Sequence, residues 1–460
     1  MSWRLGELAR ACGGTLLGPA EREVTSVSTD SRALAAGSLF VAVRGENFDG
    51  HDFVPEAARR GAAAVLVARA PEPALGIAAI VVRDTVTALG ELARAHRASF
   101  AGPVVAITGS NGKTTTKELC ARVLEAAGRR VRRTPGNLNN HIGLPLSILG
   151  LAADDEALVV ELGMNHAGEI DALAGIADPT VGAITNVAPA HLGLLGSLEA
   201  IANAKGELFA RLRAKATAIV NADDPNCVAQ SARFAGEKLR FALRAPAEFR
   251  ARIERIEGGA ALYTLECPAG EARIRMRAPG LHLVDDGLCA AAAAYATGLL
   301  GARPLDAIQQ GLEGFAGVPG RVALARTPGG LLVIDDSYNA NPHSVARALE
   351  TLAELRGSGR AIAVLGDMFE LGDDAAALHA EVGRRAATSG VDALVAVGPL
   401  SAHTAAAARA AGLTRVFETS SAEDAAAQVR ANARSGDAVL VKGSRGMKLE
   451  RVVGLLMESC

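Results

Sequence analysis

PVVAITGSNGKTTTKELCARVLEAAG, residues 103–128, decides the fold. Its opening apolar run has the length and composition of a buried strand. A glycine-containing turn follows, Thr108-Gly109-Ser110-Asn111-Gly112-Lys113-Thr114-Thr115, and then an amphipathic helical pattern. Backbone N–H groups at a helix N-terminus cradle phosphate oxygens, and the helix dipole adds to the attraction. Gly109 and Gly112 allow close approach of the backbone, Lys113 is placed to reach the β/γ-phosphates, and the Thr114 hydroxyl to bind Mg²⁺. Ser110, Asn111 and Thr115 complete the loop. The strict phosphate-loop pattern has a further glycine where Ile107 stands, so this is a shortened variant. No Asn-Lys-x-Asp run follows, which favours ATP over GTP.

A phosphate loop needs a carboxylate to complete a Mg²⁺ shell. Glu161 closes the apolar run ALVVE, at a strand end, where ligand residues of parallel sheets collect. His191, in TNVAPAHL, also follows a strand pattern. Alone it reads as a satisfied polar residue; beside Glu161 and the phosphate loop it becomes a metal-ligand candidate. Spacing alone makes Lys205, in LEAIANAKGELF, a solvated helix lysine.

Outward from the loop, strands alternate with helical patterns: residues 157–162, 181–187 and 216–221 are apolar strand runs. That order implies a parallel sheet with right-handed crossovers. Residues 239–277 alternate and read as an antiparallel edge or subdomain. The uncharged stretch 287–302 reads as a buried helix. A second series of strand runs, 330–336, 360–367, 393–398 and 437–443, predicts another doubly wound α/β unit. Before the loop, 38–45, 62–68 and 79–84 are strand runs around the helical pattern HDFVPEAARRGA, and 101–103 reads as a linker. The chain is expected to be α/β with three domains: 1–100, a central phosphate-loop domain 101–318, and 319–460.

The 460 residues carry a net charge of -2, which gives no general attraction to nucleic acid or an anionic membrane. The 6 cysteines form no C-x-x-C pair, so they read as free thiols of a reducing compartment, and zinc is not expected. The N-terminal segment lacks the apolar run of a signal peptide, and no stretch reaches bilayer-spanning length. The expectation is a cytoplasmic, soluble monomer.

Seven segments carry a family resemblance: ITGSNGKTTTKE, GNLNNHIGLPLSIL, ELGMNHAGEI, TNVAPAHL, DDSYNANPHS, LGDMFELG and LVKGSRGM. In this order they resemble the Mur ligases, and within that family the members that add a dipeptide. The resemblance covers essentially the whole chain. It implies an N-terminal UDP-substrate domain, a central ATPase and a C-terminal Rossmann-like domain. It implies ATP and Mg²⁺, with two ions, as cofactors, and UDP-N-acetylmuramoyl-tripeptide and D-Ala-D-Ala as substrates of peptidoglycan precursor synthesis. The peptide carboxylate would be activated as an acyl phosphate. Lys113 and Thr114 match the family's phosphate loop, Glu161 and His191 its metal ligands, and Lys205 the lysine carbamylated in several members. The catalytic set is thus Lys113, Glu161, His191 and Lys205. Arg321 resembles an arginine that meets ATP across the domain gap, and Asp336, Asn339 and Asn341 a segment completing that site. Ser31, Arg32, Asn47, Asp49 and His51 resemble the UDP-sugar side. Asn137, Asn139 and Asn140 resemble substrate contacts from the central domain.

One segment departs from the family. A His-Asn-x-x-Asn run that helps hold adenine is His282-Leu283-Val284-Asp285-Asp286 here. An ionised carboxylate only accepts hydrogen bonds where an amide also donates. The preceding ligase of the family carries an Asp-Asn-Pro-Arg run, which is absent. A folylpolyglutamate-type ligase would lack the N-terminal unit. A nucleotide-gated switch would hydrolyse ATP whatever peptide is present.

Overall fold

The computed structural model describes residues 2–45, 48–189, 192–277 and 279–458. Three large sheets organise them, and a short ribbon pairs Trp3–Arg4 with Glu23–Val24. The central sheet has nine strands. From one edge these are Val131–Arg133, Ala157–Glu161, Val104–Thr108, Val181–Ile184, Thr217–Asn221, Glu237–Ala242 and Phe249–Glu257, all parallel to their neighbours. Two antiparallel strands, Ala260–Cys267 and Gly270–Met276, finish the other edge. The alternating stretch after residue 239 therefore extends this same sheet.

The inner strands are apolar throughout because both faces are covered. Val104, Ala106, Leu158 and Val160 enter one core; Val105, Ile107, Ala157 and Val159 enter the other. The first core continues into the N-terminal sheet through Leu39, Val41, Leu66 and Ile80. That sheet orders Thr15–Leu17, Ala78–Val81, Ala64–Val67, Ser38–Val41 and Ser26–Ser28, with only the first strand antiparallel. The buried Arg97 guanidinium pins the helix Thr85–Ala98 to the central unit through the carbonyls of Ala177 at 2.8 Å and Asp178 at 2.9 Å. Residues 101–103 carry no regular structure. The second core is closed by the helix Leu281–Ala296, whose buried Ala290 to Ala294 let it lie close to the phosphate-loop helix Lys113–Ala126.

The C-terminal sheet orders Ala323–Arg326, Leu332–Asp336, Ala438–Lys442, Ala361–Gly366, Ala393–Val397 and Val416–Thr419. Its first strand is antiparallel and the rest are parallel. The sequence reading named none of the four described strands before residue 38, and beyond residue 100 it missed three: Val131–Arg133, Ala323–Arg326 and Val416–Thr419. Each is short, lies at a sheet edge and mixes charge with apolar residues, so neither run length nor alternation marks it.

The strand Val104–Thr108 has later strands on both sides, so the chain changes direction across it. Ligand clefts of open parallel sheets form at such switch points. The C-terminal unit meets the central one there, and again where the Gly193 N–H donates to the Glu370 carbonyl at 3.0 Å. At this second contact a side chain on Gly193 would lie 2.5 Å from the Gly372 backbone nitrogen. Among the described residues no helix is long and apolar enough to cross a membrane.

Candidate active site

The phosphate loop leaves its strand at Gly109, φ 149°, and enters its helix at Gly112, φ 82°. Neither position tolerates a side chain: a Cβ would lie 1.9 Å from Thr185 Oγ1 at Gly109 and 2.1 Å from Asp286 Oδ1 at Gly112. The glycines thus serve tight packing here. Asn111 is fixed by its backbone: its N–H donates to Asn186 Oδ1 at 3.0 Å and its carbonyl accepts from Thr185 Oγ1 at 2.6 Å. Lys113 folds back to donate to the Gly109 carbonyl at 2.8 Å and the Ser110 carbonyl at 3.3 Å. Burial pushes its ammonium pKa down, opposed by the nearby Glu161 carboxylate and aided by Arg321.

Glu161 is 1% exposed at the end of its strand. Its Oε2 accepts from Thr114 Oγ1 at 2.7 Å and its Oε1 from Asn139 Nδ2 at 2.7 Å. Lys205 is 2% exposed, far from the solvated helix lysine of its spacing. Burial drives its pKa well below the ordinary value, and the neighbouring Lys113 charge pushes the same way. Lys117, one turn beyond Thr114, is buried and donates to the carbonyls of Thr134 at 2.6 Å and Gly136 at 2.7 Å. It ties the phosphate helix to the loop that presents Asn139.

The C-terminal unit supplies the opposite wall. Arg321 lies with Cζ 4.2 Å from the Tyr338 ring centroid, within cation–π range. It precedes Val322, whose φ of 55° is strained for a β-branched residue and costs about 1–3 kcal/mol. Asp336 pairs with Lys442 Nζ at 2.5 Å, and Lys442 also donates to the Asn339 carbonyl at 2.9 Å. Asn341 caps the helix Pro342–Leu355, accepting from the Ser344 N–H at 2.8 Å. Its Nδ2 crosses to Asn111 Oδ1 at 3.0 Å.

These groups enclose a cavity of about 860 Å³. Of the residues named from sequence, it gathers Gly109, Ser110, Asn111, Gly112, Lys113, Thr115, Asn137, Asn139, Glu161, Lys205, Arg321, Asp336, Asn339 and Asn341. Thr114 stands behind it through Glu161. His191 and Asn47 lie outside the described residues. Asn140 does not line the cavity: its Oδ1 accepts from the N–H groups of Ile142 at 3.1 Å and Gly143 at 2.9 Å. Ser31, Arg32, Asp49 and His51 do not line it either. Ser31 Oγ donates to Glu56 at 3.1 Å, and Arg32 pairs with Asp30 at 2.9 Å. His51 uses both ring nitrogens, Nδ1 with Asp49 at 2.6 Å and Nε2 as acceptor from the Ala68 N–H at 2.8 Å.

Sequence reading missed Lys442, Tyr338, Asn186 and Lys117. Lys442 and Asn186 stand at or just beyond strand C-terminal ends, the signal that marked Glu161. At the departing segment, Asp286 sits against the phosphate loop and burial raises its pKa well above the usual range. Burial pushes Asp285 up to about 7 and His282 down to about 4.

Family models match most of the chain. The Mur ligase middle domain matches residues 107–294, the Mur ligase glutamate ligase domain 320–445, and the Mur ligase family catalytic domain 23–97. The chain belongs to the Mur ligase family. This Mur ligase is 37% identical over 461 residues to UDP-N-acetylmuramoyl-tripeptide--D-alanyl-D-alanine ligase of Escherichia coli (strain K12), covering 100% of this chain and 99% of the relative. It is 38% identical to the ligase of the same name from Bacillus subtilis (strain 168), covering 98% of each. Among solved structures, MurF from Acinetobacter baumannii matches this Mur ligase with TM-score 0.90 and 32% identity, covering 100% of this chain and 99% of that one. MurF ligase from Thermotoga maritima in complex with ADP matches with TM-score 0.81 and 30% identity, covering 94% and 97%. A folylpolyglutamate synthase of Mycobacterium tuberculosis, at 18% identity and TM-score 0.63, shares the fold.

Proposed function

We propose that this Mur ligase joins D-alanyl-D-alanine to UDP-N-acetylmuramoyl-tripeptide, with ATP as the energy source, in peptidoglycan precursor synthesis. The observation that carries the reading is likeness over the whole length to ligases of that name, at 37% identity. The cavity fits such a reaction. It sets a phosphate loop and Lys113 against Arg321, with space between for a triphosphate and a peptide carboxylate.

The chemistry takes two displacements. The peptide carboxylate attacks the γ-phosphorus, and the bond to the β,γ-bridging oxygen breaks as ADP leaves. The dipeptide amine then attacks the acyl carbon; the acyl–oxygen bond breaks, phosphate leaves with the electron pair, and the amine loses its proton. Two anions must first approach each other, so positioning and charge neutralisation dominate the catalysis. Lys113 and Arg321 supply positive charge from opposite walls.

Thr114 Oγ1 and Glu161 Oε2, 2.7 Å apart, form a hard oxygen pair suited to Mg²⁺. Bound there, the ion would offset the charge of the γ-phosphate and the carboxylate. His191 is the further proposed ligand, and Lys205 would join a second site as its carbamate. A carbamate forms from a neutral amine and CO₂ with loss of a proton, and the lowered Lys205 pKa favours that amine. A carbonyl signal from ¹³C-bicarbonate, present in the parent and lost in Lys205→Met, is expected; its absence from the parent at saturating bicarbonate would remove the second site.

Asn137 and Asn139 are proposed to meet the UDP-peptide from the central unit; Ser31, Arg32, Asn47, Asp49 and His51 are proposed for its nucleotide end. The units 1–100, 101–318 and 319–460 are proposed as the domains, since each holds one large sheet. A cytoplasmic monomer fits small-molecule substrates of this kind.

The test is phosphate release with ATP, Mg²⁺ and UDP-N-acetylmuramoyl-tripeptide, with and without D-Ala-D-Ala. Release that needs both partners, with a UDP-pentapeptide by mass, is expected. Release indifferent to the dipeptide would instead favour a nucleotide switch.

A further inference from the structure

The side chain of Asn111 lies at the tip of the phosphate loop, yet both ends of its amide point away from the loop. Oδ1 accepts from Asn341 Nδ2 at 3.0 Å, and Nδ2 lies 3.4 Å from His343 Nδ1. Both partners belong to the C-terminal unit, at the cap and first turn of the helix Pro342–Leu355. Burial pushes the His343 pKa down, with the Arg347 charge adding, so Nδ1 keeps a lone pair for the amide. The backbone of Asn111 is meanwhile held by Asn186 and Thr185 of the central unit. One residue is thus gripped by main chain on one side of the cavity and by side chain on the other.

We infer that the Asn111 amide is the latch on which the C-terminal unit closes, and that Asn341 is a positioning residue that aligns this unit with the phosphate loop. The inference rests on the ligase reading for its kinetic consequence, and on geometry alone for the closure. Asn341 has little left for a nucleotide: its Oδ1 caps its own helix and its Nδ2 is on Asn111. The cap fixes the side chain before closure, so the donor meets Asn111 without further ordering cost. The latch also places Arg321 and Lys442, which belong to the same unit, against the loop that holds the phosphates.

A double-mutant cycle tests this. Asn341→Ser keeps a side-chain oxygen for the cap, since serine is as good an N-cap as asparagine, but is too short to span to Asn111. Asn111→Ala removes the amide and leaves the backbone bonds to Asn186 and Thr185. Each single change should lower kcat for ligation roughly tenfold, and the double change should be no worse than the worse single, because Asn111→Ala already removes the contact that Asn341→Ser removes. The KM for ATP should move less than about threefold, the signature of lost alignment rather than lost binding.

Small-angle X-ray scattering on the same four proteins with ADP gives a second readout, independent of turnover. All three variants should show the same enlarged radius of gyration relative to the parent. Multiplicative losses of about a hundredfold, or an ATP KM that rises as far as kcat falls, would show that the two residues act separately on the nucleotide and overturn the latch. An unchanged radius in Asn111→Ala would do the same. If the parent makes no UDP-pentapeptide, the ligase reading falls, while the scattering result still decides the latch.

Discussion

Two regions offered the same residue types as site candidates, and the structure uses them in opposite ways. Around the phosphate loop, polar side chains reach far along the sequence: Glu161 takes Thr114 from 47 residues away and Asn139 from 22. In the N-terminal unit Ser31 reaches Glu56, 25 residues on, and His51 the N–H of Ala68, 17 on, but the paired charges lie close by. Asp30 holds Arg32 and Asp49 holds His51, each 2 residues on. A short-range pair closes a turn whatever else it does; a long-range pair exists only because two loops have been brought to one place. Asn, Asp and Gly in a motif therefore point to chemistry most securely where they end strands of one parallel sheet.

The sharpest way to break this comparison is at its strongest point. Lys113→Ala should lower ligation by about a hundred- to a thousandfold, since it removes a cation poised for developing phosphate charge. The circular dichroism spectrum should stay that of the parent. Normal turnover by this variant would remove the phosphate loop from the mechanism. On the other side stands Arg32, exposed, with its guanidinium paired to Asp30. If it meets the UDP end, Arg32→Ala should raise the KM for the UDP-tripeptide by about tenfold, the worth of one charge-assisted hydrogen bond. The KM for ATP should hardly move. An unmoved UDP-tripeptide KM would leave Asp30–Arg32 a turn and nothing more.

Other effects concern stability. Asp285 titrates near 3.8 when ordinary and is pushed up to about 7 by burial, with Asp223 adding to it. Between those values the fold keeps a proton that the unfolded chain has released, so stability falls as pH rises and levels off above about 7. Asp285→Asn should lack this fall. Comparing urea unfolding free energies at about pH 4.5 and about pH 7.5 should show a difference of about 3 kcal/mol between parent and variant. A parallel pH dependence in both would mean that Asp285 is ionised in the fold. Smallest of all, Asn140→Ala should cost about 1 kcal/mol, the value of the hydrogen bonds its Oδ1 accepts from the N–H groups of Ile142 and Gly143. A rise in the UDP-tripeptide KM without loss of stability would return Asn140 to the substrate set.

Much of the architecture was legible because buried parallel strands are unbroken apolar runs. Ala157–Glu161, Thr217–Asn221 and Ala438–Lys442 could hardly be read otherwise. The edge strand Val416–Thr419 could not be found this way, since its residues stay partly exposed and its pattern is that of a loop. The site followed the same division. Gly112, Lys113 and Thr114 act through a local strand–turn–helix order that a sequence displays directly. Lys205 and Lys442 become buried only through tertiary packing, and no spacing along the chain announces that. The Asn111–Asn341 contact joins residues 230 apart and has no sequence signal of its own.

The second contact between the central and C-terminal units has a different use. Gly193 and Gly372 meet face to face, with room for hydrogen atoms and no more. A single methyl group at residue 193 would act as a doorstop. It would replace none of the proposed catalytic side chains, and it would hold the two halves ajar, arresting the enzyme before its working posture. A small molecule wedged at the same seam would do likewise without competing with ATP.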